Sequence, residues 1–311
     1  DFDRAWEILQ NPPCKCKPKD LDQAYFNSLL EAPVKNLTLF TPKLKKQLRL
    51  LVLVLSPLEQ VAERLAVRDL WANSNESTAI KSGKAKVVFI IGRNALGEEK
   101  EKEIQDEQKK FGDLLQVDIA EGYENLVFKL VSAFRWASDP SQVNTDLVLK
   151  VNMESVVHVD RIIEHFNNGT RENAIYCDVQ EKGSEVIRDP CSKWFVTKTA
   201  MATDTYPDYC RGMGYLTSTK TIKEIVEGRK KRMPFANEDA FFTGIVASDA
   251  GIDRIQSNEM ISAYFTESST CDALGNPYLS IMGILVEGKP KIELNRIWKI
   301  LKQPPCTKKR K

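Results

Sequence analysis

Short apolar runs alternate with longer amphipathic segments over most of the chain from residue 48 onwards. Four runs, at residues 50–55, 87–91, 114–119 and 147–151, are largely apolar and predict buried strands. Four segments between and after them, at residues 59–71, 98–111, 123–136 and 219–228, predict helices, and the mostly charged one at 98–111 fits a solvated helix. This alternation is typical of an α/β fold with a mostly parallel sheet and helices on both faces.

The fourth predicted strand is followed at once by polar side chains. Asn152, Glu154 and Ser155 come directly after the apolar run at 147–151. In open α/β sheets the carboxyl ends of the strands border the crevice in which ligands bind, so these side chains are candidates for a binding site. The simpler alternative is a strand followed by an ordinary polar turn.

Both ends of the chain depart from this alternation. Residues 1–45 are interrupted by five prolines and are expected to form a stem-like extension. Residues 46–265 would form the α/β domain, and residues 266–311, with Cys271, Pro277 and Cys306, a C-terminal extension.

Composition excludes some classes of function. The chain has 311 residues, is 42% hydrophobic and 28% charged, and carries a net charge of +2, which argues for a globular protein and against a general nucleic-acid binder. The basic residues 308–311 are most simply a solvated tail. No run approaches the ~20 apolar residues of a membrane span, but the chain starts at Asp1, so an upstream signal or membrane anchor stays open.

Cysteines and glycosylation triplets favour the secretory pathway. Seven cysteines are widely spaced, without paired CxxC sites for zinc. Asn36, Asn75 and Asn168 each begin an Asn-x-Ser/Thr triplet. Together these features predict an oxidising compartment with disulfides, although a reduced cytosolic protein with buried thiols remains an alternative.

Six separated blocks share one order with a known family. They are 64–71 (RLAVRDLW), 88–92 (VFIIG), Glu107 with 118–129 (DIAEGYENLVFK), Trp136, 193–194 (KW) with 206–215 (YPDYCRGMGY), and 237–244 (NEDAFFTG). Over roughly residues 46–260 the chain resembles the family 31 glycosyltransferases, which include Golgi β-1,3-galactosyl- and β-1,3-N-acetylglucosaminyltransferases. The resemblance implies a GT-A type nucleotide-sugar-binding fold, which agrees with the predicted alternation.

The activity implied by the resemblance is an inverting β-1,3-transfer of galactose, GlcNAc or GalNAc from a UDP-sugar to a glycan hydroxyl in the Golgi lumen. The residues it implies for the nucleotide sugar are Arg64, Arg68, Lys129, Lys150, Gly212 and Gly214. Alternatives stay open for several of them. Arg68 can be a surface residue lying over Trp71, Lys150 can pair with Asp118, and the two glycines can be turn residues.

An acidic pair is implied as the catalytic group. The family's base falls on Asp239, which would remove the proton of the acceptor hydroxyl, and Glu238 would orient Asp239 or raise its pKa. Alternatively, this segment is an N-cap with acids in the first turn of the helix that follows, since a helix N-terminus favours negative charge. Both interpretations can hold together. From its position in the glycine block, Cys210 is expected to pair with Cys177 or Cys191.

The expected metal site departs from the family. Where relatives have D-D-D or E-D-D, this chain has Asn152, Met153 and Glu154, and its only histidines, His158 and His165, precede the acidic pair instead of following it. Mn²⁺ prefers hard anionic oxygens, so the family's Mn²⁺ cofactor is in doubt and would have only Glu154 and, weakly, Asn152 as ligands.

Three outcomes follow from that departure. Arg68 and Lys150 replace the ion, the ion binds weakly through Glu154, or transfer is lost. In the last case the protein would be a pseudo-glycosyltransferase that binds a glycan or a partner protein, and a scaffold without a sugar site is a third class. These hypotheses rest on the expectation that Arg68, Glu154 and Asp239 converge on one pocket for a sugar diphosphate, and a position of Asp239 far from Glu154 or away from any cavity would contradict them.

Overall fold

Ten strands are present in the computed structural model, which describes residues 19–44, 47–93, 97–228, 232–257, 271, 278–282 and 290–303. They are β1 (Thr38–Phe40), β2 (Leu48–Leu55), β3 (Ala85–Arg93), β4 (Leu114–Ala120), β5 (Thr145–Asn152), β6 (Ser155–Val157), β7 (Ala174–Gln180), β8 (Tyr209–Ser218), β9 (Asp253–Gln256) and β10 (Ser280–Met282). The main sheet has the order β1-β4-β3-β2-β5-β8-β7-β9, and β6 pairs with β10 in a small second sheet. Strands β4, β3, β2 and β5 are parallel, whereas β8 runs antiparallel to both of its neighbours.

The α-helices of the described residues pack on both faces of this sheet. They are α1 (Gln23–Glu31), α2 (Val61–Asp69), α3 (Thr78–Ser82), α4 (Glu98–Phe111), α5 (Leu126–Ser138), α6 (Val159–His165), α7 (Thr219–Glu227), α8 (Ala247–Asp249) and α9 (Pro290–Leu301). A π-helix spans Ala240–Val246, and short 3-10 helices span Val34–Asn36 and Tyr123–Asn125. The predicted α/β architecture is confirmed, with boundaries shifted by a few residues.

Strand β2 shows why the sheet is buried on both faces. Its side chains point alternately to opposite sides, as the period of a strand requires. Leu51, Leu53 and Leu55 belong to the core cluster that contains α1, α5 and α7 residues. Leu50, Val52 and Val54 belong to the cluster that contains α2 and α9 residues. A continuous apolar run is therefore what a central parallel strand needs.

Residues 19–44 belong to the α/β domain, so the predicted stem-like extension over residues 1–45 is wrong for this part of the chain. Phe26, Leu29 and Leu30 lie on one face of α1 and are buried in the core. Strand β1 pairs with β4 as an edge strand of the main sheet. The apolar residues of α1 recur at helical spacing and pack the helix against the domain. The prolines around α1 obscured this pattern in the sequence. Residues 1–18 lie outside the described residues.

The C-terminal segment also contributes to the domain. Leu294, Ile297 and Trp298 of α9 are buried in the cluster that contains α2. Strand β10 pairs with β6, directly after the end of β5. The predicted extension at 266–311 is therefore part of the same body where it is described, and Cys306 and the basic tail lie outside the described residues.

Cysteine chemistry agrees with an oxidising compartment. Cys210 is joined to Cys177, one of the two partners expected, and this bond links β8 to β7. Cys191 and Cys271 are also disulfide-bonded, which contradicts the alternative of free buried thiols. Cys14 and Cys16 lie outside the described residues. Asn36, Asn75 and Asn168 are all exposed. In the part of the chain that the structure describes, no helix combines the length and apolarity of a membrane span.

Candidate active site

A cleft of about 1080 Å³ opens where β2 and β5 end side by side. Leu55 of β2 lies opposite Asn152 of β5, so the residues after both strands meet at its floor. The lining comprises Leu55, Ser56, Pro57, Glu59, Gln60, Glu121, Gly122, Tyr123, Leu126, Lys129, Asn152, Met153, Glu154, Gln180, Trp194, Tyr209, Arg211, Gly212, Asn237, Glu238 and Asp239. Glu154 and Asp239 thus share one cleft, as the sequence predicted.

Lys150 lies beneath the acidic pair. Its side chain is fully buried, and its Nζ donates to Asp239 Oδ1 at 2.9 Å and to the Gly212 carbonyl at 3.0 Å. Glu238 Oε1 lies 3.6 Å from the same nitrogen. The alternative pairing of Lys150 with Asp118 is wrong, because Asp118 pairs with Arg93 on the far side of the sheet's parallel half. Lys150 therefore acts on the acids and does not line the cleft.

The backbone of Asp239 is held by the start of the π-helix. Thr243 Oγ1 donates to the Asp239 carbonyl at 2.6 Å and accepts from the Cys210 amide at 2.8 Å, which ties the helix to β8. Asn237 Oδ1, and not an acid, accepts the Ala240 amide at 3.2 Å. Asn237 is therefore the N-cap and the two acids lie in the first turn after it, so the alternative of an N-cap with first-turn acids holds alongside the pairing of Asp239 with Lys150.

Burial and charge set the protonation of this cluster. Burial, followed by the charge of Asp239, raises the pKa of Glu238 to about 8, although Lys150 opposes the shift. Burial disfavours the Lys150 ammonium, but the two acids outweigh it and raise its pKa. At neutral pH the cluster therefore holds a cation and a proton on Glu238.

We expect Glu238→Gln to flatten the dependence of stability on pH. The pKa of Glu238 is about 8 in the folded protein, against an ordinary value of 4.5. Between these two pH values the Glu238 carboxyl is therefore ionised only in the unfolded chain. The free energy of unfolding of the wild type should fall over that window, by at most ~1.4 kcal/mol per pH unit, and level off above it. The variant should match the wild type near pH 5 and exceed it near pH 8 in urea unfolding.

Glu172→Gln is the control for that comparison, since the Glu172 side chain is 81% exposed. It should follow the wild type across the whole range. Parallel curves for Glu238→Gln and the wild type from pH 5 to 8 would contradict a raised pKa.

Gly212 is required because the Asp239 carboxylate occupies the space of a side chain. A Cβ at residue 212 would overlap Asp239 Oδ2. Gly212 lines the cleft, and Gly214 is buried opposite Val151 in the β5–β8 pairing. Both residues lie within β8, so the turn alternative is wrong for them, and only Gly212 is placed to contact a ligand in the cleft.

For the sugar transfer that the sequence resemblance implies, Gly212→Ala is expected to lower the rate at least tenfold, because the added methyl displaces the Asp239 carboxylate that Lys150 holds. The initial rate of sugar transfer measures this effect. Gly97→Ala is the matched control, since nothing lies within 4 Å of the Cβ position there. Equal rates for Gly212→Ala and Gly97→Ala would show that the position of the carboxylate does not matter.

Lys129 lines the cleft, but its ammonium is already engaged. It donates to both carboxylate oxygens of Glu121 at 3.0 Å and to the Ser56 carbonyl at 2.8 Å. Burial lowers the pKa of Lys129, and Glu121 opposes this shift. Glu121 also accepts the Gly92 amide at 2.6 Å. Lys129 therefore joins the ends of β2 and β3 to α5 and shapes the cleft wall.

Arg64 and Arg68 do not line the cleft. Arg64 is fully buried, pairs bidentately with Glu107 and donates to Ser56 Oγ and the Pro57 carbonyl. It therefore supports the turn that borders the cleft from behind.

The expectation that Arg68 shares the pocket with Glu154 and Asp239 is wrong. Its guanidinium pairs with Asp113 and Glu107 and lies 4.1 Å from the ring centroid of Phe111, not over Trp71. An i, i+4 arginine pair on α2 predicts a shared face, but only the packing showed that this face points at α4.

Several cleft residues had no role assigned from the sequence. Trp194, whose surface is 47% exposed, lies at the rim, and the Lys193 ammonium lies 4.5 Å from its ring centroid. Tyr123, Gln180 and Arg211 line the same cleft. Trp194 and Arg211 lie inside recognised blocks, which was the available signal, but the direction of their side chains depends on the tertiary structure.

The residues at the end of β5 do not fit the family's Mn²⁺. Asn152 offers an amide, Met153 is only 2% exposed with its thioether in the core, and Glu154 alone offers a carboxylate. The His158 ring packs 5.6 Å from Trp298, and its nitrogen caps α6. Across the described ranges no three His, Cys, Asp or Glu residues are grouped to hold a metal ion. A hard divalent ion prefers more anionic oxygens than this set supplies.

Comparison with known proteins decides the family. The galactosyltransferase family model matches residues 62–258, which is more than half of the chain and includes both Asn152–Glu154 and the acidic pair. The chain belongs to the galactosyltransferase family. Its α/β sheet is accordingly the GT-A type fold of the family 31 glycosyltransferases.

Curated relatives of this galactosyltransferase-family protein are moderately similar. It is 28% identical over 240 residues to the β-1,3-galactosyltransferase bre-2 of Caenorhabditis elegans, covering 75% of this chain and 66% of that protein. It is 28% identical over 196 residues to human β-1,3-galactosyltransferase 5, covering 63% of this chain and 61% of that protein. The chain thus spans about two thirds or less of the length of these relatives.

Among solved structures, an active-site mutant of LgtC aligns with this galactosyltransferase-family protein at 14% identity with a TM-score of 0.41. The alignment covers 82% of this chain and 97% of that chain.

Proposed function

We propose that the protein is an inverting β-1,3-glycosyltransferase that moves galactose, GlcNAc or GalNAc from a UDP-sugar to a hydroxyl of a glycan acceptor. The observation that carries this proposal is the Asp239 carboxylate, held by Lys150 in a cleft at the carboxyl ends of β2 and β5. Family membership and the names of the relatives support the reaction class.

Asp239 is the proposed base of a single displacement. The acceptor oxygen forms a bond to the anomeric carbon, the bond from that carbon to the diphosphate oxygen breaks, and its electron pair leaves with UDP. The hydroxyl proton passes to Asp239. Lys150 occupies Oδ1 of Asp239, which leaves Oδ2 over Gly212 for the proton.

Glu238 is the proposed supporting acid. Its proton at neutral pH removes one negative charge beside Asp239, so the cluster around Lys150 does not contain a second buried carboxylate charge from Glu238. Burial of two adjacent carboxylates with one ammonium would otherwise leave a charge uncompensated.

The donor is proposed to lie along the opposite wall, between the residues after β2 and those after β5. Ser56 and Pro57 are held there by Arg64 and Lys129, so these two cations act by shaping the wall. Gly212 provides a backbone surface without a side chain beside Asp239.

A secretory location, with the Golgi lumen as the expected compartment, is proposed on two grounds. The Cys177–Cys210 disulfide needs an oxidising environment, and the asparagines of all three glycosylation triplets are exposed. The second ground is tested by purifying the protein from a secretory host and digesting it with an N-glycosidase. Removal of N-glycans should lower the mass of the protein. A type II membrane anchor upstream of residue 1 stays a prediction.

The activity is tested by incubating the purified protein with UDP-galactose, UDP-GlcNAc and UDP-GalNAc against a panel of glycan acceptors. Product linkage is read by NMR, and β-1,3-linked product is the expected result. Absence of product with every donor and acceptor, in EDTA and in Mn²⁺, would overturn the proposal.

The same assay separates the non-catalytic alternative. A pseudo-glycosyltransferase would bind UDP or a glycan without forming product. The similarity to named transferases does not favour that alternative.

A further inference from the structure

Transfer from a UDP-sugar in this cleft would need a positive charge beside the diphosphate. UDP leaves with negative charge developing on its diphosphate, and a cation near that group stabilises the departure. The lining is acidic, with Glu59, Glu121, Glu154, Glu238 and Asp239 among its residues, and the set at the end of β5 does not fit a divalent ion. Some other positive group must face the diphosphate.

Most nearby cations are already neutralised. Lys129 is bound by Glu121, and Lys150 by Asp239 with Glu238 beside it. Arg64 and Arg68 lie behind the cleft in ion pairs with Glu107. None of these four can turn to a ligand without leaving a buried acid unpaired, which is costly.

Arg211 is different. It lines the cleft, and its side chain is 39% exposed. It forms a long ion pair with Asp178, whose Oδ2 lies 3.6 Å from its Nε atom, but this distance is beyond hydrogen-bond range and Nε is buried without a hydrogen bond. A guanidinium with unused donors at a cleft wall is suited to bidentate binding of phosphate oxygens.

The position of Arg211 also fits. Ser155 Oγ donates to the Met213 carbonyl at 3.0 Å, so the turn after β5 lies against β8 two residues beyond Arg211. Glu154, in that turn, and Arg211 line the same cleft. Arg211 thus lies on the strand beside the segment where relatives carry their metal-binding acids.

We propose that Arg211 binds the diphosphate of the nucleotide sugar directly, and that this chain binds its donor without a divalent ion. The proposal rests on the proposed function for the identity of the donor. During transfer the electron pair of the broken bond goes to the diphosphate oxygen, and the Arg211 guanidinium stabilises that charge.

Calorimetric titration with UDP, in EDTA and in Mn²⁺, tests the proposal. The wild type should bind UDP with the same Kd, within about twofold, under both conditions. Arg211→Gln should weaken UDP binding about ten- to hundredfold, as expected for loss of charge-assisted hydrogen bonds. Arg211→Lys should lie between the two, because it keeps the charge and loses the bidentate geometry.

Two controls isolate the diphosphate. Uridine, which lacks phosphate, should bind the wild type and Arg211→Gln equally. Arg171→Gln, an exposed arginine outside the cleft lining, should leave UDP affinity unchanged. Thermal unfolding of each variant confirms that it is folded.

The possible results of these experiments distinguish a failure of the proposed role of Arg211 from a failure of the proposed transferase activity. UDP binding that is lost in EDTA and restored by Mn²⁺, no UDP binding at all, or unchanged UDP affinity in Arg211→Gln would each overturn the role of Arg211. Metal-free, Arg211-dependent UDP binding without sugar transfer would support that role and overturn the transferase activity instead.

Discussion

Asp239→Asn is expected to lower kcat for sugar transfer by about 10²–10⁴-fold, the usual contribution of a general base. The amide keeps the shape of the carboxylate and can still accept from Lys150, but it cannot take the proton of the acceptor hydroxyl. The affinity for UDP should change little, because the base acts on the acceptor. Steady-state transfer rates, with UDP binding by calorimetry, measure both effects.

Asp146→Asn is the matched control for this variant, since Asp146 lies at the opposite end of β5 and is 47% exposed in its pair with Arg49. Its transfer rate should equal that of the wild type. A rate for Asp239→Asn within about threefold of the control would remove Asp239 from the chemistry.

Lys150→Met is expected to lower the free energy of unfolding by about 3–5 kcal/mol at pH 7, because it leaves a buried carboxylate without its cation. The Lys150 side chain is fully buried, and the Asp239 side chain is only 11% exposed, so water cannot replace the ammonium. Urea unfolding measures the loss. Activity should fall as well, since nothing then holds Asp239 Oδ1.

The double variant Lys150→Met/Asp239→Asn tests whether the loss of stability comes from the Asp239 carboxylate left without its cation. If the loss comes from the uncompensated acid, neutralising Asp239 should recover at least about half of it, and the two substitutions should be strongly non-additive. Additive losses would show instead that Lys150 contributes only packing. Lys220→Met, at an exposed lysine, should leave stability within ~0.5 kcal/mol.

The two residues of this ion pair have different roles. Lys150 stabilises the fold and positions the base, whereas Asp239 supplies the chemistry. Gly212 completes the arrangement, because the carboxylate lies in the space that a side chain at residue 212 would fill.

The interpretation of the arginines shows where sequence reasoning fails. Arg64 and Arg68 were expected at the donor because permanently charged side chains suit a diphosphate. In the fold, Glu107 and Asp113 bind them, and both acids come from segments more than 35 residues away in the chain. Spacing along a helix shows that two side chains share a face, but not which element covers that face.

The sequence by itself determined the alternation of strands and helices, the family, the sharing of one cleft by Glu154 and Asp239, and the departure from the metal motif. These features depend on local periodicity and on residues at strand ends. The tertiary structure decided that residues 19–44 belong to the core, that Lys150 holds Asp239, and that Arg211 faces the cleft. The physical reason is that ion-pair partners and burial arise from contacts between distant segments, which no local pattern encodes.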